Sequence, residues 1–118
     1  MNRIQLVASA APGASASPMM INPDGTLSPF SISADRPLVV TDISIQRVSV
    51  VAGPDLFGVD VVQNLPTQTT ARWSFVGSIS QNVERTFHTG IVFSFSLTVE
   101  NLASSADSVV VRLWGFTE

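Results

Sequence analysis

Apolar and polar residues alternate with a period of two along most of the chain, which is typical of β-strands with one buried face. The clearest case runs from Ile91 to Glu100, where apolar residues occupy the odd positions and Ser, Thr or Glu occupy most of the even ones. We expect one half-buried strand over this range. No window shows the 3.6-residue period of an amphipathic helix. The pattern therefore predicts an all-β protein.

An earlier strand contains a change of phase. The alternating apolar positions are odd-numbered from Val39 to Ile45 and even-numbered from Val48 onward. A regular strand cannot send its apolar set to both faces, so this change predicts a β-bulge near Gln46 and Arg47.

The last strand, Val109 to Phe116, is apolar on both faces. Val110, Trp114 and Phe116 share one parity, and the residues between them are also apolar except for Arg112. We expect one face to join the core and the other to meet a partner. Val110, Trp114 and Phe116 are therefore candidate interface residues.

The amino-terminal region differs from the rest in composition. Residues 8 to 18 are all Ala, Ser, Pro or Gly, and such small side chains bury little area. We therefore divide the chain into an extended arm, residues 1–28, and a β-sandwich domain, residues 29–118. The arm is expected to lie on a neighbouring subunit, with Ile4 and Leu6 as its anchors.

The number and spacing of the segments indicate the architecture. A chain of 118 residues suits one domain. About seven or eight short strands separated by turns predict a single antiparallel β-sandwich of the jelly-roll kind. One of these turns is expected at Asn22–Gly25, where Pro and Gly follow Asn.

Composition excludes several classes of protein. The chain has 45% hydrophobic and 13% charged residues, and its mean hydropathy is +0.35, which favours an oligomer with apolar contacts. The absence of Cys excludes disulfides and thiol catalysis. The net charge is −3 and six scattered arginines supply all the basic charge, so nucleic acid is not an expected partner. No apolar run reaches the ~18 residues of a membrane helix, and Ile4–Val7 is too short for a signal peptide.

Residues that carry chemistry are few. His88 is the only histidine, and the closest acid before it is Glu84. Asp42, Asp60 and Glu100 fall on predicted strands. Two of these carboxylates could converge across a cleft as a catalytic pair, but exposure of all three to solvent accounts for them equally well. Calcium at Asp24 is a weaker alternative to a plain turn. We expect no catalytic residue, no cofactor and no metal, and hence a protein that is not an enzyme.

Two tryptophans leave a second function open. Exposed aromatic rings stack on sugars, so Trp73 and Trp114 are candidate sugar-stacking residues of a lectin-like module or a tail-associated receptor-binding domain. Each lies on an apolar face of its strand, which favours packing in the core or between subunits.

The pattern of the carboxy-terminal two thirds resembles a known class of protein. The segments concerned are Leu38–Ile43, Thr89–Phe93, Leu97–Asn101 and Val109–Phe116. Together they resemble small jelly-roll cement, or decoration, proteins of tailed-phage heads. The resemblance implies a structural protein of the virion surface that binds between major capsid subunits and stabilises the shell. It also implies synthesis in the host cytoplasm without a signal peptide. Of the self-associated states, we expect a trimer.

Overall fold

The computed structural model describes residues 2–48, 56–67, 69–78, 83–102 and 108–117. Within these ranges the regular structure is entirely β. The strands are β1 (Asn2–Ala10), β2 (Ser15–Ala16), β3 (Met19–Ile21), β4 (Leu27–Pro29), β5 (Leu38–Val48), β6 (Leu56–Asn64), β7 (Thr70–Ser78), β8 (Val83–Phe93), β9 (Thr98–Asn101) and β10 (Ser108–Thr117). None of the described segments forms a helix that is long and apolar enough to cross a membrane.

The strands form two antiparallel sheets. One sheet has six strands in the order β4-β3-β1-β10-β5-β8, and the other has four in the order β2-β9-β6-β7. The two sheets enclose a single apolar core. This arrangement confirms the predicted all-β sandwich, with more strands in the described residues than the sequence indicated.

The strand order is that of a jelly roll with one added hairpin. Apart from the β3–β4 hairpin, one sheet contains β1, β10, β5 and β8, and the other contains β2, β9, β6 and β7. The chain crosses between the sheets at six places: β1 to β2, β2 to β3, β5 to β6, β7 to β8, β8 to β9 and β9 to β10. Eight strands shared in this way between two sheets form the double Greek key of a jelly roll.

The predicted amino-terminal arm is wrong. β1 lies inside the six-stranded sheet, paired along its whole length with β10 and on its other side with β3. Leu6 is 1% exposed, and Ala8 and Ala10 are also buried. The small alanine side chains suit a tightly packed position beside β10. The run of small residues therefore reflects close packing within the sheet and not an extended arm.

A buried amide stabilises the crossover from β1 to β2. The Asn101 side chain donates to the carbonyl of Ala10 at 3.1 Å. The backbone of Asn101 also accepts from the Gly13 amide at 3.0 Å and donates to the Ala14 carbonyl at 2.9 Å. Gly13 has a φ of 71°, which suits Gly at this turn. Residues 11–14 thereby carry the chain from one sheet to the other.

The bulge in β5 lies at Thr41, and its predicted position near Gln46 and Arg47 is wrong. Trp114 pairs with Asp42 but Gly115 pairs with Val40, so Thr41 is the extra residue. The pairing is regular at Gln46 and Arg47. The bulge buries Leu38 and Val40 before it and Ile43 and Ile45 after it. Val39 therefore points away from the core.

Gly115 permits this bulge. A Cβ at this position would overlap the carbonyl oxygen of Val39 and would lie 2.9 Å from its carbonyl carbon. Backbone atoms cannot move aside as a flexible side chain can, so any other residue at 115 would displace β5 from β10. The Thr41 hydroxyl also lies 3.3 Å from the Trp114 carbonyl, across the bulge.

The segment Ile91–Glu100 is not one strand. β8 ends at Phe93 and β9 begins at Thr98 in the other sheet, so the alternation spans a change of sheet. Gln63 explains the break, because its side-chain oxygen accepts from the amides of Ser94 at 2.7 Å and Phe95 at 3.2 Å. These amides are thereby satisfied without a neighbouring strand.

Two leucines test whether β1 belongs to the core. Leu6→Ala should lower the free energy of unfolding by about 2–5 kcal/mol, because a buried leucine is lost and a cavity remains. Leu27→Ala is the matched control. Its side chain is 52% exposed, and its change should stay within about 0.5 kcal/mol. Urea unfolding measures both values, and an equally small effect at both positions would contradict the fold.

Candidate interaction surface

The six-stranded sheet has a face that points away from the four-stranded sheet, and we call it the outer face. In β10 the buried residues Val109, Val111 and Leu113 alternate with half-buried ones that point outward. The outward residues of this central strand are Ser108, Val110, Arg112, Trp114 and Phe116. Three of these five are apolar.

A row of side chains crosses the outer face at Phe116. Phe116 pairs with Val39 on one side and with Arg3 on the other. Val39 in turn pairs with Val92 of β8, which is 50% exposed. Three neighbouring strands thus present apolar side chains side by side, with an arginine at the end.

Trp114 separates two open grooves. Its neighbours across the strands are Gln5 and Asp42. On one side lies a groove of about 580 Å³, lined in part by Gln5, Ile21 and Trp114. On the other side lies a groove of about 350 Å³, lined in part by Asp42, Glu84 and Arg85. The indole therefore lies between a mainly apolar groove and one with charges of both signs.

The β3–β4 hairpin extends the apolar area. Val7 of β1 pairs with Met19, and Ile21 pairs with Leu27. Met19 and Leu27 are among the exposed large hydrophobic residues of the described chain. The apolar part of the outer face consequently runs from β8 to β4.

Charge on the outer face is divided by strand. Arg3 on β1 and Arg112 on β10 lie toward one side, whereas Asp42 on β5 and Glu84 on β8 lie toward the other. Asp42 accepts a hydrogen bond from the Thr86 hydroxyl at 2.8 Å. A partner with apolar side chains between two opposite charges would fit this division.

The structure brings three of the five predicted interface residues together. Val110, Trp114 and Phe116 lie on the outer face along one strand. Leu6 is buried in the core and Ile4 packs against it, so neither serves as an anchor on a neighbour. That part of the prediction is wrong, because β1 pairs within its own sheet.

The interface prediction missed residues from other strands. Val39, Val92, Met19 and Leu27 join the outer face only through the register of the six strands and the bulge at Thr41. Nothing local in the sequence marks them. The apolar residues on both faces of β10 were the sequence signal for this surface, and they identify only the strand at its centre.

Trp73 lies in a different environment from Trp114. It is partly buried against the core, and its ring centre is 5.1 Å from that of Phe93. Phe75 and Phe87 make a similar contact at 6.5 Å. These contacts join β7 to β8 at the open side of the sandwich, so packing accounts for Trp73.

A polar cluster occupies the opposite side of the molecule, on the four-stranded sheet. Arg72 Nη1 lies 2.6 Å from Glu100 Oε2 and 3.3 Å from Asp60 Oδ2. Ser74 donates to the other oxygen of Asp60 at 2.6 Å. The pKa of Arg72 is raised above its ordinary value, chiefly by the hydrogen bond to Glu100. One cation thus contacts two carboxylates, which leaves the cluster with a net charge of −1, and Asp42, on the other sheet, does not converge with them.

The remaining candidates for chemistry do not assemble into a site. His88 is exposed on β8. Among the described residues, no group of three or more His, Asp or Glu side chains lies in a position to hold a metal ion.

No known protein-family model matches the chain, and no curated protein is significantly similar to it.

Asp24 takes part in the predicted turn between β3 and β4. Its carboxylate accepts from the Thr26 amide at 2.9 Å and from the Thr26 hydroxyl at 2.6 Å. The Asn22 amide donates to the Thr26 carbonyl at 2.8 Å, and Gly25 has a φ of 88°. The hydrogen bond from the Thr26 side chain is the main reason that the pKa of Asp24 lies below its ordinary value of 3.8.

Removing the Thr26 hydroxyl should raise that pKa. In Thr26→Val the amide hydrogen bond remains, so the pKa of Asp24 should move part of the way back to 3.8. Because the folded-state pKa is depressed, this contact stabilises the hairpin above pH 3.8 and is lost as pH falls through the folded value. Carboxyl NMR titration measures the shift. Ser28→Ala is the control in the same hairpin, and an unchanged Asp24 in Thr26→Val would contradict the assignment.

Proposed function

We propose that this chain is a non-enzymatic structural protein of a virion, acting as a decoration protein of a tailed-phage head. It binds between major capsid subunits through the outer face of its six-stranded sheet. Its place is the capsid surface, and its effect is to hold neighbouring capsid subunits together.

The observation that carries this proposal is the apolar character of the outer face. Val92 on β8, Met19 on β3 and Leu27 on β4 are exposed there, and Val39 and Phe116 lie in the same cross-strand row as Val92. Contiguous apolar patches on a protein surface normally mark an interaction site, and aromatic residues are enriched at the centres of such sites. A stable partner would remove these side chains from water.

The jelly-roll fold is compatible with the proposed function but does not distinguish it from the lectin-like alternative. Jelly rolls occur in viral capsid and lectin domains, so the topology fits both functions considered for the chain. This is an analogy of fold, and the choice between the functions depends on the surface. A broad apolar face across several strands favours protein–protein contact.

The polar groups support a role without catalysis. Asp60, Glu100 and Arg72 engage one another in a closed network, and Asp24 is engaged by Thr26. A general acid or base would need a carboxyl or imidazole directed at a substrate cavity. Asp42 and Glu84 line the smaller groove beside Trp114, but both Asp42 oxygens already accept hydrogen bonds from the Thr41 and Thr86 hydroxyls, and the groove is open, as at a docking surface.

A charge on the outer face should weaken decoration. The test uses particles isolated from the source cells, stripped of this chain and then incubated with recombinant variants. Leu27→Asp should bind at least tenfold more weakly than wild type, because a leucine that the partner covers is replaced by a carboxylate. Sedimentation of the particles with bound chain measures occupancy, and thermal release of their contents measures stabilisation.

Leu102→Asp is the matched control. Leu102 is 54% exposed, compared with 52% for Leu27, but it lies beside Gly58 of the four-stranded sheet. It should decorate and stabilise particles like wild type. The proposal fails if the chain does not sediment with capsid protein in the source extract, or if Leu27→Asp binds normally.

A lectin-like role is the second candidate, and Trp114 is the observation that favours it. The half-buried indole borders a groove of about 580 Å³ and has Gln5 and Asp42 as neighbours. An aromatic platform with polar groups beside it is suited to a sugar ring. A glycan array decides this alternative: binding that Trp114→Ala removes would support it, and an array with no signal above background would eliminate it.

A further inference from the structure

The edges of the two sheets differ in how they are protected. An unpaired edge strand exposes backbone donors and acceptors, and proteins usually protect it by shortness, proline, charge or a bulge. In the described chain, β2 has two residues, and β4 has three and ends in Pro29. β8 carries Glu84, Arg85 and His88, and its pairing with β5 is interrupted near Gly90. These three edges all carry such devices.

β7 is the exception. It has nine residues in unbroken register with β6, contains no proline, and pairs with no described strand on its other side. Val76 on this strand is 63% exposed, the highest value among the exposed large hydrophobic residues. A long, regular and apolar edge of this kind is a template for another strand.

The single charge on β7 does not protect the edge. The Arg72 side chain points along the surface of its own sheet, away from the open edge, and its guanidinium contacts Asp60 on β6 and Glu100 on β9. Both partners lie on the side of β7 that is already paired. The charges of this cluster therefore lie away from the open edge, where they would not repel an approaching strand.

We propose that β7 pairs antiparallel with β7 of a second copy of this chain, with the two-fold axis at Ser74. Ser74 is the middle residue of the strand, so all nine positions pair. Trp73 then lies opposite Phe75 of the partner subunit, and Arg72 lies opposite the partner's Val76. The two four-stranded sheets become one continuous sheet.

The sequence of β7 suits this pairing with itself. The two-fold axis generates two Trp–Phe pairs, and aromatic cross-strand pairs add to sheet stability. Ala71 faces the partner's Gly77, so the small residues meet, and no position sets like charges opposite each other. An isologous pair of edges also closes at two subunits and leaves no β7 edge exposed. A foreign peptide would gain the same backbone hydrogen bonds without this match of side chains.

This interface does not depend on the proposed function. It uses the edge of the four-stranded sheet, whereas capsid binding uses the outer face of the six-stranded sheet. It predicts a particle of about 25 kDa, twice the 12.6 kDa of one chain, and not the trimer expected from the sequence. Light scattering of the purified chain distinguishes these masses, and a monomer or a trimer would overturn the proposal.

The absence of cysteine in the sequence allows a direct test of register. Ser74→Cys places two thiols on the two-fold axis, where paired strands hold Cα atoms about 4.5–5.5 Å apart, within the range of a disulfide. Mild oxidation should convert most of this variant to a cross-linked dimer. Val76→Cys is the control, because its two thiols would be about 13 Å apart along the strands. Equal cross-linking of both variants would overturn the register.

A pair of charge variants tests the same contact without a covalent bond. Ser74→Lys and Ser74→Glu each place two like charges on the two-fold axis and should weaken the homodimer, whereas an equimolar mixture of the two pairs opposite charges there. The heterodimer should therefore be at least tenfold more stable than the average of the two homodimers, and added salt should reduce this excess. Sedimentation equilibrium gives the dissociation constants. If the mixture shows no such excess, the pairing of position 74 with itself is wrong. Val92→Glu and Val92→Lys, on the outer face, should leave the dimer unchanged.

Discussion

The bulge at Thr41 decides what each face of the six-stranded sheet presents. By adding one residue to β5 opposite the step from Trp114 to Gly115, it buries Val40 before the bulge and Ile43 after it. Val39 is thereby turned outward beside Phe116. The close approach of β5 to Gly115 is possible only without a side chain at that position. The core and the candidate interaction surface thus depend on the same backbone contact.

The two sheets present different kinds of surface. The outer face of the six-stranded sheet carries an apolar row from Phe116 to Val92 and the half-buried Trp114, with opposite charges at its two sides. The four-stranded sheet presents a closed polar network around Arg72 and ends in the edge strand β7. The sandwich thus provides two surfaces, one on each sheet, that do not overlap.

The sequence predicts the features that depend on local burial. Alternation with period two identifies the β class, and apolar residues on both faces identify β10, because the type of each residue depends on its own burial. Features that depend on distant residues could not be predicted. The end of β8 depends on Gln63, 31 residues before Ser94, and the bulge depends on Gly115, 74 residues after Thr41. The amino-terminal segment looked like an arm because small residues such as Ala8 bury little area, although tight packing beside β10 favours them.

Oxidation by hydroxyl radicals tests most directly whether the outer face is covered by a partner. The chain is exposed to radicals free in solution and bound to its native particle, and mass spectrometry measures modification residue by residue. The account predicts that Met19 and Trp114, on the outer face, become strongly protected in the particle. Trp73, which packs against Phe93 inside the sandwich, should change little. Equal oxidation of Met19 and Trp114 in the free and bound chain would contradict the account.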